Sequence, residues 1–374
     1  MRATLTEDQL AIRDGIERLV AEKAGAAGAG ELWSALSALG WLGLALPEDR
    51  GGSGRSVLEM GLLTAATGYH DLVTPFLSSM VLGAGVLART TAGGESPELL
   101  AAAAQGRTLL ALAHQEDGDF NPATLKTMAS PHGRGWRLRG TKQAALGAPR
   151  AAYMAISACI RRGDEDIPAL FLVPAATTGL QIRSIPTLRG EEAGEVRLDA
   201  DLGPAALVLE GEAARSALDA AMDEAVIVLC WEALGAMCAL VDQTVAYVKT
   251  RRQFGKAIAE FQVVQHRLAE MAVLCEESRA VAELAALKTQ SSAPARARAA
   301  SFAKVKMCRA ARFISHEAVQ LHGAIGITED LPVARRFRHL LAFQAMLGTA
   351  DAHLQRYARD VVATRRHVAS AVFE

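Results

Sequence analysis

The pattern of apolar and polar residues changes twice along this chain. Residues 3–105 show helical periodicity, and a capping box formed by Thr6 and Gln9 predicts the start of the first helix. The apolar positions that follow recur on one helical face and are Ile12, Ile16, Leu19 and Val20. The first region is therefore predicted to be helical.

Residues 106–209 have a different texture, with short runs separated by Gly, Pro and Asp. Several runs alternate apolar and polar residues, which is typical of half-buried strands. The strand-sized runs are Thr108–Ala113, Trp136–Arg139, Tyr153–Ala158, Ala169–Val173, Leu180–Ile185, Glu195–Leu198 and Ala206–Leu209. This spacing favours a small antiparallel barrel or sandwich over βαβ units.

From about residue 210 the pattern returns to long helical periods. We predict helices near 212–250, 262–290, 295–322 and 334–366. Helices, then strands, then helices indicate an α+β fold. Its predicted domains are an all-α domain over 1–105, a β-barrel or sandwich domain over 106–209 and a four-helix bundle over 210–374.

Composition and charge limit the functional classes. Apolar residues make up 51% of the chain, charged residues 22%, and the net charge is −1, so there is no basic excess for nucleic acid. The five cysteines are scattered and lack a Cys-x-x-Cys pair, which predicts buried thiols in a reducing compartment. The first residues carry no signal-peptide core and no long apolar run follows, so we expect a cytoplasmic protein without a membrane span.

The segment around Arg251 carries the first candidate chemistry. Arg251 and Arg252 occupy the last turn of a predicted helix that ends at Gly255, and a new helix is predicted to begin near Phe261. Arginines at a helix C-terminus are often only partners of the helix dipole. A planar guanidinium can also fork onto phosphate oxygens, which is the functional alternative.

Two further segments are rich in glycine. Ala318–Gly326 contains Gln320 and Gly323 at the end of a predicted helix, where a glycine is usually a plain C-cap. Gly40–Gly54 could cradle a phosphate, but no Lys-Ser/Thr follows as a P-loop needs. We interpret Gly40–Gly54 as a loop between helices.

Together these segments closely resemble the acyl-CoA dehydrogenase family over nearly the whole chain. The motifs are Arg-x-x-Phe-Gly before Phe-Gln-x-x-Gln-His, the turn Gln-Leu-His-Gly-Ala-Ile-Gly, and the N-terminal Gly-Trp-Leu-Gly-Leu stretch. The resemblance implies FAD as cofactor and an acyl-CoA thioester as substrate. It assigns FAD contacts to Arg251 (the pyrophosphate), Phe254 (packing beside the neighbouring subunit's cofactor), Gln320 and Gly323 (the adenosine end), and to Gln262 and Thr349.

The sequence departs from the family pattern at the catalytic base and at the flavin ring. Leu347 precedes the Gly-Thr pair where most members carry the glutamate that removes the substrate's α-proton. His114–Asp119 replaces Thr-Glu-Pro-x-x-Gly-Ser-Asp, whose threonine reaches the isoalloxazine. Gln143–Gly147 replaces the Trp-Ile-Thr-Asn strand that flanks the ring. These changes weaken the chain's own flavin site.

Glu224 is the remaining candidate for a base. Some family members place the glutamate on the first long C-terminal helix, ten residues before a glycine that matches Gly235, and Ala225 occupies that position here. Each residue turns a helix by about 100°, so the Glu224 carboxylate would lie off the required line. A solvated acidic helix start is the alternative. We expect no metal site near His266 or His322.

The residues that a subunit lends to its neighbour's FAD are present, whereas those that serve its own flavin are missing. This distribution resembles the small-subunit branch of the family, whose members pair with a catalytic large subunit in heteromeric dehydrogenases of lipid β-oxidation. We therefore expect a homodimer, tetramer or heterotetramer, with an electron-transfer flavoprotein as redox partner. Two alternatives remain: a homodimeric dehydrogenase that uses Glu224, and a non-redox acyl-CoA-binding or scaffold protein.

Overall fold

The computed structural model describes residues 5–26, 28–90, 96–121, 125–328 and 330–372. The helices are α1 (Glu7–Ala26), α2 (Ala29–Ala38), α3 (Val57–His70), a π-helix (Phe76–Ala84) that continues as α4 (Gly85–Leu87), α5 (Ser96–Ala104), α6 (Gly211–Thr250), α7 (Gln262–Lys288), α8 (Ala293–His322), α9 (Pro332–Ala345) and α10 (Ala350–Val372). The strands are β1 (Leu110–Ala113), β2 (Met128–His132), β3 (Gly135–Leu146), β4 (Tyr153–Arg162), β5 (Glu165–Pro174), β6 (Leu180–Pro186), β7 (Glu192–Leu202), β8 (Leu207–Glu210), β9 (Arg252–Gln253) and β10 (Lys256–Ala257).

Residue contacts group the chain into two compact units. The helical unit comprises Met1–Ala26, Val57–Leu72 and Val226–Glu374. The sheet unit comprises Ala27–Ser56 and Val73–Ala225. The two units are described separately below.

An eight-stranded sheet forms the centre of the sheet unit. The strand order is β6-β7-β3-β2-β4-β5-β8, and β1 pairs with β4. Most pairs are antiparallel, as predicted, but β4 runs parallel to both β1 and β2, which the sequence did not indicate. The chain forms the β2–β3 hairpin between β1 and β4, and this intervening hairpin lets β4 return alongside β1 in the same direction.

Helices α3 and α6 of the helical unit pack closely at two glycines. A Cβ at Gly68 would lie 2.0 Å from the carbonyl oxygen of Glu232, and a Cβ at Gly235 would lie 1.9 Å from that of Ala65. No side chain fits in either place, so the sequence needs glycine for the two backbones to approach. This contact holds the N-terminal and C-terminal helices of the unit together.

The predicted α+β architecture is confirmed, with helices before and after a central sheet. The predicted capping box is also present, since the Thr6 N–H donates to Gln9 Oε1 (3.1 Å) and the Gln9 N–H donates to Thr6 Oγ1 (3.2 Å). The predicted domain boundaries stay predictions, although α5 ends at Ala104 and α6 begins at Gly211 close to them.

The prediction of one last helix over 334–366 is wrong. The chain instead forms α9 and α10, separated at residues 346–349. Leu347 has φ 51 and Gly348 has φ 96, and these left-handed conformations end α9. The break includes Leu347, the position at which the resemblance described above places a glutamate.

Burial agrees with the expected roles of the thiols and of the most apolar helix. All five cysteines are free; four are buried and Cys238 is half-buried. By length and composition α6 could cross a membrane, but 83% of its most apolar window is buried inside the protein. Burial of this kind is that of a core helix.

Candidate functional site

The turn between α9 and α10 holds Leu347, whose side chain is 9% exposed. Two buried side chains fix the backbone of this turn. His353 Nε2 donates to the Leu347 carbonyl (2.8 Å), and Lys304 Nζ donates to the carbonyls of Met346 (2.8 Å) and Phe343. The Lys304 ammonium also lies 3.9 Å from the centre of the Phe343 ring. The turn is therefore built around carbonyl acceptors and a cation.

This turn provides no acceptor for a substrate proton. Lys304 is fully buried, and in the described part of the chain it forms no salt bridge with an acidic side chain. Burial lowers the pKa of Lys304. Burial also lowers the pKa of His353 to about 4, and the hydrogen bond to Leu347 opposes that shift only in part. Proton abstraction from a carbon acid needs a base within reach, which Leu347 cannot supply.

Glu224, the alternative base, lies in the sheet unit and forms an ion pair. Arg89 Nη2 donates to Glu224 Oε1 (2.6 Å), while Arg89 Nη1 donates to the Gly85 carbonyl (2.5 Å). Accepting a proton would break this ion pair, which works against Glu224 as a general base. The contact instead joins α6 to the end of α4.

A buried ion pair includes Glu116 of His114–Asp119, the stretch that replaces the family's Thr-Glu-Pro motif. Lys142 Nζ donates to Glu116 Oε1 (2.6 Å), and Lys142 is fully buried. Glu116 also accepts hydrogen bonds from the N–H of Lys126 (2.5 Å), the N–H of Thr127 (3.0 Å) and the Thr127 hydroxyl (2.6 Å). Burial alone would raise the pKa of Glu116, but Lys142 and these donors hold it below its ordinary value. The pair is therefore charged near neutral pH.

The ion pair continues into a chain of hydrogen bonds. Lys142 Nζ donates to Ser157 Oγ (2.9 Å), which lies 2.8 Å from His114 Nδ1. His114 Nε2 lies 2.9 Å from Asn121 Oδ1, and Asn121 Nδ2 donates to Asp219 Oδ1 (2.9 Å). Burial lowers the pKa of His114 to about 3, so its imidazole is neutral. This network joins β3, β4 and the segment that follows β1 to α6, and we name it the Glu116–Lys142 network.

The two stretches that depart from the family pattern contact each other. The Gln143 N–H donates to the Gln115 carbonyl (2.9 Å), and the Gly118 N–H donates to Gln143 Oε1 (3.2 Å). β3 is irregular between Lys142 and Ala145, and Ala144 there has φ 48. A loop and a strand bulge, joined to each other by these two hydrogen bonds, replace the threonine hydroxyl and the tryptophan indole of the family pattern.

The Arg251 segment forms a hairpin, not the simple helix end that the sequence predicted. α6 stops at Thr250, and β9 pairs with β10 around a two-residue turn made by Phe254 (φ 52) and Gly255 (φ 81). Positive φ at both positions is typical of a type I′ turn. Phe254 is 91% exposed, and the Arg251 side chain is exposed with no hydrogen-bond or ion-pair partner in the described ranges.

The Gln320 segment lies beside this hairpin, within the helical unit. His322 stacks on Tyr247 with ring centres 4.3 Å apart, and the Tyr247 hydroxyl donates to the His322 carbonyl (3.3 Å). The Tyr247 carbonyl in turn accepts the Arg251 N–H (2.9 Å). Tyr247 therefore brings together two motifs that are far apart in sequence. The exposed Gln320 flanks His322 on one side, and Gly323, with φ 69, flanks it on the other.

The other two residues assigned to FAD have local positions. Gln262 is exposed and begins α7. The Thr349 hydroxyl accepts a hydrogen bond from the Ala352 N–H (3.3 Å), at the start of α10. Thr349 therefore has a capping role whether or not it touches a cofactor.

The sheet unit also contains a cavity of about 410 Å³. Leu109 and Leu110 give it an apolar side, while Ser78, Arg150 and Glu192 give it polar groups. This volume lies within the range of small-molecule sites. No group of three or more His, Cys, Asp or Glu side chains that could hold a metal occurs in the ranges that the structure describes.

Comparison with known proteins defines the class. The N-terminal domain of acyl-CoA dehydrogenases matches residues 6–96, and the C-terminal domain matches residues 215–362. FadE27 of Mycobacterium tuberculosis, an acyl-CoA dehydrogenase, is 30% identical over 349 residues, which covers 89% of this chain and 88% of the relative. Together with the fold, these matches indicate a flavin-dependent dehydrogenase architecture.

Solved structures agree with this class. The ChsE4–ChsE5 complex of M. tuberculosis has 28% identity and a TM-score of 0.83, covering 97% of this chain and 99% of the matched chain. Butyryl-CoA dehydrogenase of Megasphaera elsdenii has the same fold, with 22% identity, a TM-score of 0.87 and coverage of 97% and 100%. The chain belongs to the acyl-CoA dehydrogenase family, as the sequence motifs predicted. FAD is the cofactor of this family.

The donor set of the helical unit fits FAD. Arg251 offers an exposed cation to a pyrophosphate, Phe254 offers an exposed ring face, and Gln320 offers an exposed amide beside a glycine turn. A permanently charged guanidinium and a solvent-facing aromatic ring suit a dinucleotide with a planar ring system.

The structure adds residues to the site that the sequence did not predict. Lys304, Tyr247 and the Glu116–Lys142 network were not singled out for these contacts by sequence. The sequence signal for Lys304 is its place between Ala303 and Val305, two apolar residues of α8. The others have no local signal, since their partners are distant in sequence.

Proposed function

We propose that this chain is the subunit of an FAD-dependent acyl-CoA dehydrogenase that lacks the catalytic base and completes the FAD site of a partner chain. One observation carries the proposal. At the position of the family's glutamate, a nearly buried Leu347 lies in a turn whose carbonyls bind Lys304 and His353. This turn stabilises the fold and offers nothing that accepts a proton.

The exposed side chains of the helical unit support a role across a subunit boundary. Phe254 combines 91% exposure with a left-handed backbone, a conformation that is unfavourable for a bulky residue. Arg251 lies next to this turn and has no acidic partner within the described chain. The conformation of Phe254 costs stability in the isolated chain, and a ligand of the partner would give both side chains a contact.

The residues retained here would bind and orient, not abstract protons. Arg251 would neutralise the pyrophosphate, Phe254 would pack beside the cofactor, and Gln320 with Gly323 would receive its adenosine end. Bound FAD would supply the acceptor for the substrate's β-hydride. The base for the α-proton would come from the catalytic subunit. We also propose a cytoplasmic location, an acyl-CoA substrate and an electron-transfer flavoprotein as redox partner.

The homodimeric alternative needs Glu224 as base. Its ion pair with Arg89 in the sheet unit disfavours that role. The non-redox alternative predicts that the chain binds acyl-CoA without taking part in any flavin complex. The same purification distinguishes all three functions.

The test compares the chain alone with the chain co-expressed with a catalytic acyl-CoA dehydrogenase subunit encoded nearby. We expect the chain alone to be colourless and inactive on a panel of acyl-CoA thioesters, and the co-purified complex to be yellow and active. Leu347→Glu, with Leu347→Gln as matched control, should not fully restore activity to the chain alone, because Gln115 and Leu146 still replace the family's flavin contacts. Robust turnover by the isolated wild-type chain would overturn the proposal. A colourless chain that never joins a flavin complex would favour the scaffold function.

A further inference from the structure

The cavity of about 410 Å³ in the sheet unit has no part in the FAD contacts described above. Its lining residues come from four short segments, 73–79, 109–110, 147–150 and 190–192, and all four belong to the sheet unit. Because these segments are far apart in sequence, no local motif indicates the cavity. Its chemistry follows from the groups that the fold brings together there.

The lining combines apolar side chains with buried hydroxyl groups. Leu109 and Leu110 are apolar, and Leu110 is 1% exposed. Thr74 is also buried, and its hydroxyl forms no hydrogen bond with any residue in the described part of the chain. The Ser78 hydroxyl donates only a long hydrogen bond to the Pro75 carbonyl (3.3 Å). The cavity therefore offers an apolar surface together with hydroxyl groups that a ligand could bind.

Among the described lining residues, the one basic residue is Arg150. Its side chain is exposed and forms no hydrogen bond or ion pair within the ranges that the structure describes. The two acidic lining residues each have a partner. Glu191 Oε2 lies 3.8 Å from Arg189 Nη1, and Glu192 Oε1 accepts a hydrogen bond from the Ser184 hydroxyl (3.0 Å). The Arg150 guanidinium is therefore the charged group that is available to a ligand.

The charges of the lining favour an anion that carries a single charge. A planar guanidinium can bind one carboxylate through two parallel hydrogen bonds. A phosphate dianion would meet the same single cation and would also be repelled by the Glu192 carboxylate, whose partner is an uncharged hydroxyl. The apolar residues Leu109 and Leu110 favour a ligand with a hydrocarbon chain, because its burial removes apolar surface from water. Together these groups fit an aliphatic carboxylate.

We propose that this cavity binds a short aliphatic carboxylate, with the carboxylate on Arg150 and the hydrocarbon chain against Leu109 and Leu110. The proposal goes beyond the dehydrogenase function, since every group it uses lies in the sheet unit of one chain. Binding requires neither FAD nor a catalytic partner. The test therefore uses the purified full-length chain alone.

The experiment titrates the chain with hexanoate and measures the Kd by ligand-observed NMR. Two further probes each lack one feature of the ligand: hexanol keeps the hydrocarbon chain without the charge, and inorganic phosphate keeps the negative charge without the chain. We expect hexanoate to bind more tightly than either probe, because only hexanoate uses both the guanidinium and the apolar lining.

Replacement of Arg150 tests the charged contact. Arg150→Gln should raise the Kd of hexanoate by about ten- to a hundredfold, because a charge-assisted hydrogen bond is lost. Arg150→Lys should restore binding only in part, because lysine keeps the charge but cannot form two parallel hydrogen bonds. Arg134→Gln is the matched control and should leave the Kd unchanged, since Arg134 is an exposed arginine of the same unit that does not line the cavity.

Crystals grown with hexanoate that carries a terminal bromine would locate the ligand by anomalous scattering. We expect the bromine inside the cavity and the carboxylate beside Arg150. Equal Kd values for hexanoate and hexanol, an unchanged Kd in Arg150→Gln, or a bromine outside the cavity would each overturn the proposal. Absence of hexanoate binding would overturn it as well, and binding of hexanoyl-CoA in its place would assign the cavity to the thioester substrate. None of these readouts uses flavin content or turnover, so they are independent of the proposed dehydrogenase function.

Discussion

Replacement of Lys142 by Met tests how far the Glu116–Lys142 network stabilises the sheet unit. Methionine keeps much of the lysine's length and removes its charge. The change leaves Glu116, which is 3% exposed, without the cation that lies 2.6 Å away. Breaking a buried ion pair by removing one partner typically costs about 3–5 kcal/mol of unfolding free energy.

The structure indicates which end of that range applies. After Lys142→Met, Glu116 keeps three donors, from Lys126 and Thr127, so its remaining charge is well solvated by the protein. We therefore expect a loss near 3 kcal/mol. Glu116→Leu would leave the Lys142 ammonium with only Ser157 as acceptor, and we expect a loss near 5 kcal/mol. The double variant should lose less than the sum of the two.

The assay is equilibrium unfolding in urea, followed by far-ultraviolet circular dichroism at one protein concentration. Arg161→Ala serves as control, because Arg161 forms an exposed, solvent-screened pair with Asp166 (2.7 Å) whose loss should change the stability little. A Lys142→Met chain as stable as the control, or a Glu116→Leu chain more stable than Lys142→Met, would refute this account of the network.

Three further predictions concern the candidate site. Arg251→Ala should weaken FAD retention in the flavin-containing complex by about ten- to a hundredfold, because a charge-assisted contact is lost. Arg252→Ala is the control and should retain FAD. Equal flavin content in the two variants would exclude the pyrophosphate role of Arg251. Glu224→Gln should leave turnover of that complex nearly intact, whereas removal of a true general base costs about 10²–10⁴-fold, so a loss of that size would assign the base to this chain. Stability should fall as the pH is lowered from about 6.5 to 4, because burial lowers the pKa of His353 to about 4 and of His114 to about 3, so the unfolded chain binds protons first. His353→Gln should make this slope less steep in urea titrations and the exposed His316→Gln should not; an unchanged slope in His353→Gln would contradict the assignment.

Most helices and strands could be predicted because their signals are local. The periodic runs of α6, α7 and α8 extend over several turns, and each strand that alternates was found. β2 was missed because its five residues include Pro131 and are partly exposed, so they carry no alternation. The break between α9 and α10 was missed because only Gly348 interrupts an otherwise helical pattern.

The site could be predicted only as far as motifs reach. Short sequence motifs identify Arg251, Phe254 and Gln320. A short motif also shows that Leu347 occupies the position of the family's glutamate. The contacts that position them are not, since Tyr247 and His322 are 75 residues apart. Only helix packing brings these two rings together.

The sequence by itself determined the family, the α+β architecture and the absence of a glutamate at residue 347. These follow from local patterns and from motifs that require particular side chains. Only the tertiary structure shows which residues surround Leu347 and the stretches that depart from the family pattern. Lys304 became a buried support of the Leu347 turn, and Lys142 became the partner of Glu116, although each lysine would be expected on the surface. The reason is that burial of a charge depends on acceptors contributed by distant segments, which no local pattern records.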